Sequence, residues 1–396
     1  MPHDATILLP VTPQRQPATP KHAMPDRTMR ILFLDSAPFH GGAQESLRTL
    51  IQALHDQGVA MQLVAADHAP GGLLDDAQQR GLPVHAIRAR HWPANASGLW
   101  QFVRDRRACT SIIAAAVADF APTIIHANGL RAAMLLSPRL IRNAAVVIHD
   151  RDLQAPAGLA GVLARRLSPQ VVAISGAVAQ KWSLLPPGRL CVIPNGFDLA
   201  AIAATPPAIT PFPADAIVVT IAADFIAWKN HRLFLDAIAL LRQNRPALRA
   251  IIRGRARDRQ GETLLAELRR HCTRQGLDDV VLFVTAPGPA LPWIAATDVL
   301  AAMATAEPFG RTLIEALALG KPVVACTGAG HSEVLADCPA ATLCAPDPAA
   351  IATALAQWVD DAPARAAAAA SARAHATRYS LRTHSDTMRA LFQSLS

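Results

Sequence analysis

Glu307-Pro308-Phe309-Gly310-Arg311-Thr312-Leu313-Ile314-Glu315-Ala316-Leu317-Ala318-Leu319-Gly320-Lys321-Pro322-Val323-Val324 sets two carboxylates eight residues apart across the start of an otherwise apolar helix. The apolar run 299–303 before it reads as a strand, Gly320 as the glycine that stops the helix, and 322–325 as the next strand, which together make a βαβ unit. The first turn of such a helix carries free N–H groups and the positive end of the helix dipole. Phe309, Gly310, Arg311 and Thr312 therefore predict a seat for a phosphate or sugar oxygen. Glu307 falls in the loop at the strand's carboxyl end, and Glu315 lies one to two turns into the helix among leucines. An ordinary i, i+4 pair between Arg311 and Glu315 accounts for part of this pattern, so the rest of the chain has to decide.

With 396 residues, 51% of them hydrophobic, the chain can fill two cores of ordinary size. Six scattered cysteines lack the spacing of a zinc site or a disulfide framework, which fits a reducing, cytoplasmic setting. No uninterrupted apolar run reaches the ~20 residues of a membrane span. Residues 1–28 read as a disordered tail; their first 27 residues hold six prolines and no secretory pattern. The charge is uneven: residues 29–200 hold 16 Lys and Arg against 11 Asp and Glu. Arg88, Arg90, Arg104, Arg106 and Arg107 are the local candidates for contact with an acidic membrane surface or a phosphorylated substrate, beside the simpler reading of a solvated face. Aromatics make up only 5% and do not interleave with the basic residues, which argues against nucleic acid as a partner.

From Met29 the pattern is strand (31–34), Gly41-Gly42, helix (about 43–57), strand (61–65). Further short apolar strands are expected at 84–87, 124–126, 145–148 and 171–174. The alternation resumes after the proline-rich stretch 205–213, with strands at 217–221, 249–252, 280–284, 299–303 and 323–325. This predicts parallel sheets covered on both faces, in two domains, 29–204 and 205–376. Residues 364–376 read as a surface helix, and 381–395 as an amphipathic helix within a final segment, 377–396, that crosses back onto the first domain. Two such domains face each other with a ligand between the carboxyl ends of their strands.

Smaller motifs fall at those ends. Gly41-Gly42 follows a strand and opens a helix, where bare backbone lets a diphosphate approach; a tight turn is the plainer reading. His149 follows the strand 145–148 at the cleft end, where a lone histidine is often structural. Lys229 follows the first strand of the second domain as a counter-charge for phosphate, or as a solvated loop lysine.

In order, Gly41-Gly42-Ala43-Gln44-Glu45, Val172-Ala173-Ile174-Ser175, Val192-Ile193-Pro194-Asn195-Gly196-Phe197-Asp198, Trp228-Lys229-Asn230 and the stretch 307–324 resemble the retaining, nucleotide-sugar-dependent glycosyltransferases of family four. The resemblance runs from about Met29 to the C-terminus and implies an α/β fold of two facing Rossmann-like, doubly wound domains, the GT-B fold. It implies transfer of a sugar from a UDP- or GDP-sugar, with retention, to a glycan or lipid-linked acceptor in polysaccharide or glycolipid assembly, with no cofactor and no metal. By the same resemblance Glu307 meets the donor sugar's hydroxyls, Glu315 the ribose, and Phe309, Gly310, Arg311 and Thr312 the sugar and phosphate. Gly41 and Gly42 border the diphosphate, Lys229 neutralises it, and His149 lines the reaction centre. The chain departs from the family where Ala223-Asp224 replaces a Gly-Arg pair, so Arg253 or Arg255 is expected to supply the second positive charge. It departs again at Met303-Ala304, where relatives carry Pro-Ser. A catalytically silent sugar-nucleotide-binding or scaffold protein is the alternative reading, with Asp224 as its best support; a hydrolase or epimerase on the same architecture is a third.

Overall fold

A computed structural model describes residues 29–66, 71–89, 96–153 and 158–396; the N-terminal 28 residues and Arg90 lie outside them. Seven strands, β1 (Arg30–Leu34), β2 (Ala60–Ala65), β3 (Val84–Ala86), β4 (Ile124–Asn128), β5 (Ala145–Asp150), β6 (Gln170–Ala173) and β7 (Leu190–Val192), form a first sheet in the order β3-β2-β1-β4-β5-β6-β7. Six more, β8 (Ile217–Ala222), β9 (Leu248–Arg253), β10 (Val281–Val284), β11 (Val299–Ala302), β12 (Val323–Cys326) and β13 (Ala341–Cys344), form a second in the order β10-β9-β8-β11-β12-β13. Neighbouring strands pair in parallel, for instance Ile31 with Met61 and Val219 with Ala250. Each half thus winds outward in both directions from a central strand, the doubly wound arrangement.

Alternation along the strands builds the layers. In β1, Ile31 and Phe33 point into one core and Leu32 and Leu34 into another on the opposite face, all four fully buried. β8 does the same in the second sheet, sending Val219 and Ile221 to one side and Val218 to the other. The edge strands β7 and β13 were not anticipated from the sequence. They are short, and half-buried residues such as Leu190 and Ala341 leave them without a strong apolar run.

The helix Leu381–Leu395 starts on a Ser380 cap and lies on the first domain, where Met388 and Phe392 join the core of Ile31, Phe33 and Leu50. Gly196 makes this approach feasible. A Cβ there would stand 2.5 Å from that of His384, so only glycine fits beneath the helix. The preceding helix, Ala362–Ala376, is less superficial than its composition suggests, since Ala368, Ala372 and Ala376 bury against Leu313 and Leu317 of the second domain. No helix among the described residues is long and apolar enough to cross a membrane. Because Phe392 is fully buried, Phe392→Ala should cost about 3–5 kcal/mol. Urea denaturation would show it, and a loss under about 1 kcal/mol would mean that the C-terminal helix is not docked in solution.

Candidate active site

The carboxyl ends of both sheets open into one cleft of about 1100 Å³. From the first domain it is lined by Gly41, Gly42, Glu45, Arg151 and Asn195, and from the second by Lys229, Arg255, Glu307, Arg311 and Glu315. The helix Arg311–Ala318 begins here after Gly310, whose φ of 94° lies in the left-handed region that favours glycine. A Cβ on Gly42 would sit 3.2 Å from the Arg311 side chain, so the Gly41-Gly42 turn is the point where the two domains come nearest across the cleft.

The cleft is closed by contacts between the domains. Arg311 donates from Nη1 to Ser46 Oγ at 2.6 Å, and its guanidinium stacks 4.6 Å from the Phe197 ring centre. The rings of Phe197 and Phe309 are parallel, with centroids 6.2 Å apart. Ser175 donates its hydroxyl to the Pro308 carbonyl at 2.7 Å, and the Gly176 N–H donates to the Glu333 carboxylate.

Lys229 Nζ donates to Glu307 Oε2, joining two of the expected site residues in one ion pair. Asp224, which stands where relatives carry arginine, holds two arginines instead. Arg255 lies 3.4 Å from its Oδ1 and Arg257 2.5 Å from its Oδ2, and Arg257 reaches across to the His40 carbonyl at 2.8 Å. The positive charge missing at residue 224 therefore returns through its side-chain partners. Arg253 is buried and donates to the carbonyls of Gly254, Val284 and Gly288. Glu315 lies 3.7 Å from Arg311. Burial pushes its carboxyl above the ordinary range, while Arg311 pulls it down. In Glu45, burial raises the carboxyl, but hydrogen bonds from His40 and Arg48 outweigh it and hold the group well below the usual value.

The expectation that His149 lines the reaction centre is corrected. His149 is fully buried and absent from the cleft wall, because the period-two alternation of β5 turns it into the layer beneath the C-terminal helix, near His126 and His384. Two residues on, beyond the strand, Arg151 reaches the cleft in its place. Its Nε donates to Asn128 Oδ1 at 2.8 Å, one terminal nitrogen donates to Asn195 Oδ1, and the other to His149 Nδ1 at 3.2 Å. Sequence reasoning missed Arg151; the only signal was its place at i+2 from a residue already singled out. Among the described residues, no group of three or more His, Cys, Asp or Glu is placed to hold a metal ion.

The family model described as "Glycosyltransferase Family 4" matches residues 40–201, and "Glycosyl transferases group 1" matches residues 216–361, so the two together cover most of the chain. The chain belongs to the family-four glycosyltransferases. Two curated relatives are similar in sequence. The lipopolysaccharide core biosynthesis mannosyltransferase LpsB of Rhizobium meliloti (strain 1021) is 33% identical over 173 residues, 42% of this chain and 48% of that protein. The D-inositol 3-phosphate glycosyltransferase of Streptomyces scabiei (strain 87.22) is 34% identical over 170 residues, 41% of this chain and 38% of that protein. The chain thus aligns with half or less of the length of these relatives. Among solved structures, Anabaena Alr3699/HepE in complex with UDP and glucose superposes with a TM-score of 0.72 at 23% identity, covering 92% of this chain and 100% of that one. Sucrose-phosphate synthase from Thermosynechococcus elongatus gives 0.75 at 18% identity, covering 93% and 99%. At these identities the likeness establishes the shared GT-B fold.

In this glycosyltransferase the layer behind Arg151 carries three buried histidines. Burial, with the nearby Arg151 charge, lowers His126 and His384 to about 3 and His149 well below its ordinary value. Since Arg151 must donate, His149 Nδ1 accepts, and its own proton is assigned to Nε2. All three are neutral in the native state at pH 7. Below about pH 6.5 the unfolded chain takes up protons that the native state refuses, so stability falls as pH drops from there toward about 3. Each histidine then costs about 1.4 kcal/mol per pH unit. Urea midpoints measured at pH 7.5 and 5 should fall steeply for the wild type, and His126→Phe should shed one proton's share of that slope.

Proposed function

We propose that the chain transfers a glycosyl group from a nucleoside diphosphate sugar to a sugar or lipid-linked acceptor, with retention of anomeric configuration. The observation that carries this reading is the conjunction, at one cleft, of the Lys229–Glu307 pair, the start of the helix Arg311–Ala318 and the half-buried Glu315. Glu315 accepts from the ribose hydroxyls. The diphosphate lies between the Gly41-Gly42 turn and the helix start, where the N–H groups of Arg311 and Thr312 and the charges of Lys229 and Arg255 meet it. Binding of the diphosphate draws Lys229 away from Glu307, and the freed carboxylate accepts from the sugar's hydroxyls. The acceptor hydroxyl then attacks the anomeric carbon from the face on which the leaving group departs. The bond from that carbon to the diphosphate oxygen breaks, and the acceptor's proton passes to that oxygen. The reading assigns stabilisation of the leaving charge to Lys229 and Arg255, a contribution of about several kcal/mol to the barrier.

A neighbour described with UDP and glucose makes UDP the first nucleotide to test, with GDP next. The names of the two relatives support glycan or glycolipid assembly as the setting. Exposed Arg104 and Arg107 give the first domain a face suited to peripheral contact with an acidic membrane. The catalytically silent reading loses its main support, because Asp224 holds Arg255 and Arg257 rather than removing charge.

Calorimetric titration of the wild type with UDP, GDP and ADP should find one nucleotide that binds. Glu315→Ala should weaken it about ten- to a hundredfold, the worth of hydrogen bonds to a charged group. Glu307→Ala should leave that affinity within about threefold while turnover falls by about two orders of magnitude or more. If no nucleoside diphosphate binds the wild type, the transferase reading fails.

A further inference from the structure

The cations of the cleft are not equivalent. Arg48, Lys229, Arg255, Arg257 and Arg311 each have a carboxylate within 4.0 Å, and Arg253 spends its donors on backbone carbonyls. Arg151 has neither kind of partner among the described residues, although it is only 9% exposed. Its three contacts are the amide oxygens of Asn128 and Asn195 and the ring nitrogen of His149. A guanidinium has five N–H donors, so one hydrogen on each terminal nitrogen remains uncommitted on a side chain that lines the cleft. Asp35 is the nearest compensation on this domain. It is fully buried and reaches Arg151 through the amide of Asn128, which donates to it, while Gln44 donates to the same carboxylate oxygen at 2.9 Å. The guanidinium is thus fixed in orientation from behind and left unneutralised in front. A buried charge held that way is costly unless an opposite charge arrives with the ligand.

The position indicates which ligand. Arg151 stands at the end of β5 on the first domain, whereas Lys229, Arg255, Glu307 and Glu315 come from the second. Resting on the donor assignment made above, we propose that Arg151 receives an anionic substituent of the acceptor, a phosphate or carboxylate, through its two spare N–H donors. The acceptor is accordingly a charged sugar rather than a neutral one. Arginine suits this task because its planar fork matches both anions in a bidentate fashion.

The test uses the full chain and calorimetry, with and without saturating UDP or GDP. Glucose 1-phosphate, glucose 6-phosphate and glucuronate are compared with glucose and with inorganic phosphate, in the wild type, Arg151→Gln and Arg151→Lys. At least one charged sugar should bind ten- to a hundredfold more tightly than glucose, about the worth of a charged hydrogen-bond pair. Arg151→Gln should erase that preference while nucleotide affinity stays within threefold, and Arg151→Lys should restore part of it. The sugar phosphates and glucuronate separate phosphate from carboxylate as the source of the charge.

The proposal is overturned if no charged sugar outbinds glucose, or if inorganic phosphate binds as tightly as the sugar phosphates. It is also overturned if Arg151→Gln costs nucleotide affinity tenfold, since the guanidinium then serves the donor. Absence of nucleotide binding would defeat the transferase reading separately, and the titrations without nucleotide would still decide the role of Arg151. If Arg151→Gln does not fold, the wild-type preference and the Lys variant carry the decision.

Discussion

Parallel strand pairing forces every strand to be followed by a crossover, so all carboxyl ends of a sheet emerge along one edge. Here two such edges face each other, and every group that lines the cleft is there because it follows a strand or opens a helix. Lys229 and Arg255 follow β8 and β9, Glu307 follows β11, and Arg151 follows β5. The Phe197–Phe309 stack and the Arg311–Ser46 bond keep the edges opposed. Without that opposition each half would present an incomplete set of polar groups to solvent.

Charge within the cleft is arranged as a set of exchanges. Lys229 rests on Glu307, and Arg255 and Arg257 rest on Asp224, so most of the cations are kept from repelling one another by carboxylates that a ligand can displace or share. The Asp224 arrangement compensates for the missing family arginine by recruiting two neighbours on the loop after β9. A substitution that looks damaging in one dimension thus leaves the local electrostatics favourable to an anion.

The layered cores, the two domains and the glutamate-bearing helix were legible in the sequence because period-two strands and a capped apolar helix leave strong patterns, as at Ile31–Leu34 and Leu313–Leu317. β7 and β13 were not, since half-buried edge strands carry neither pattern. The meeting of Lys229 with Glu307 follows from the neighbouring positions of β8 and β11, which residues 78 apart in the chain do not announce. His149 and Arg151 were misread for a related reason. Which of two residues at a strand's end turns inward depends on what packs beneath, and here that is a helix more than 230 residues downstream.

That late helix has a consequence for biosynthesis. Ile31, Phe33 and Leu50 are among the earliest residues to leave the ribosome, yet Met388 and Phe392, which cover them, are among the last. Throughout translation the nascent first domain holds an unsealed greasy face, and only chain release lets the lid settle. Vectorial synthesis therefore cannot finish this half before the other half has been made, which exposes the unfinished polypeptide to aggregation and makes it a natural client for trigger-type chaperones.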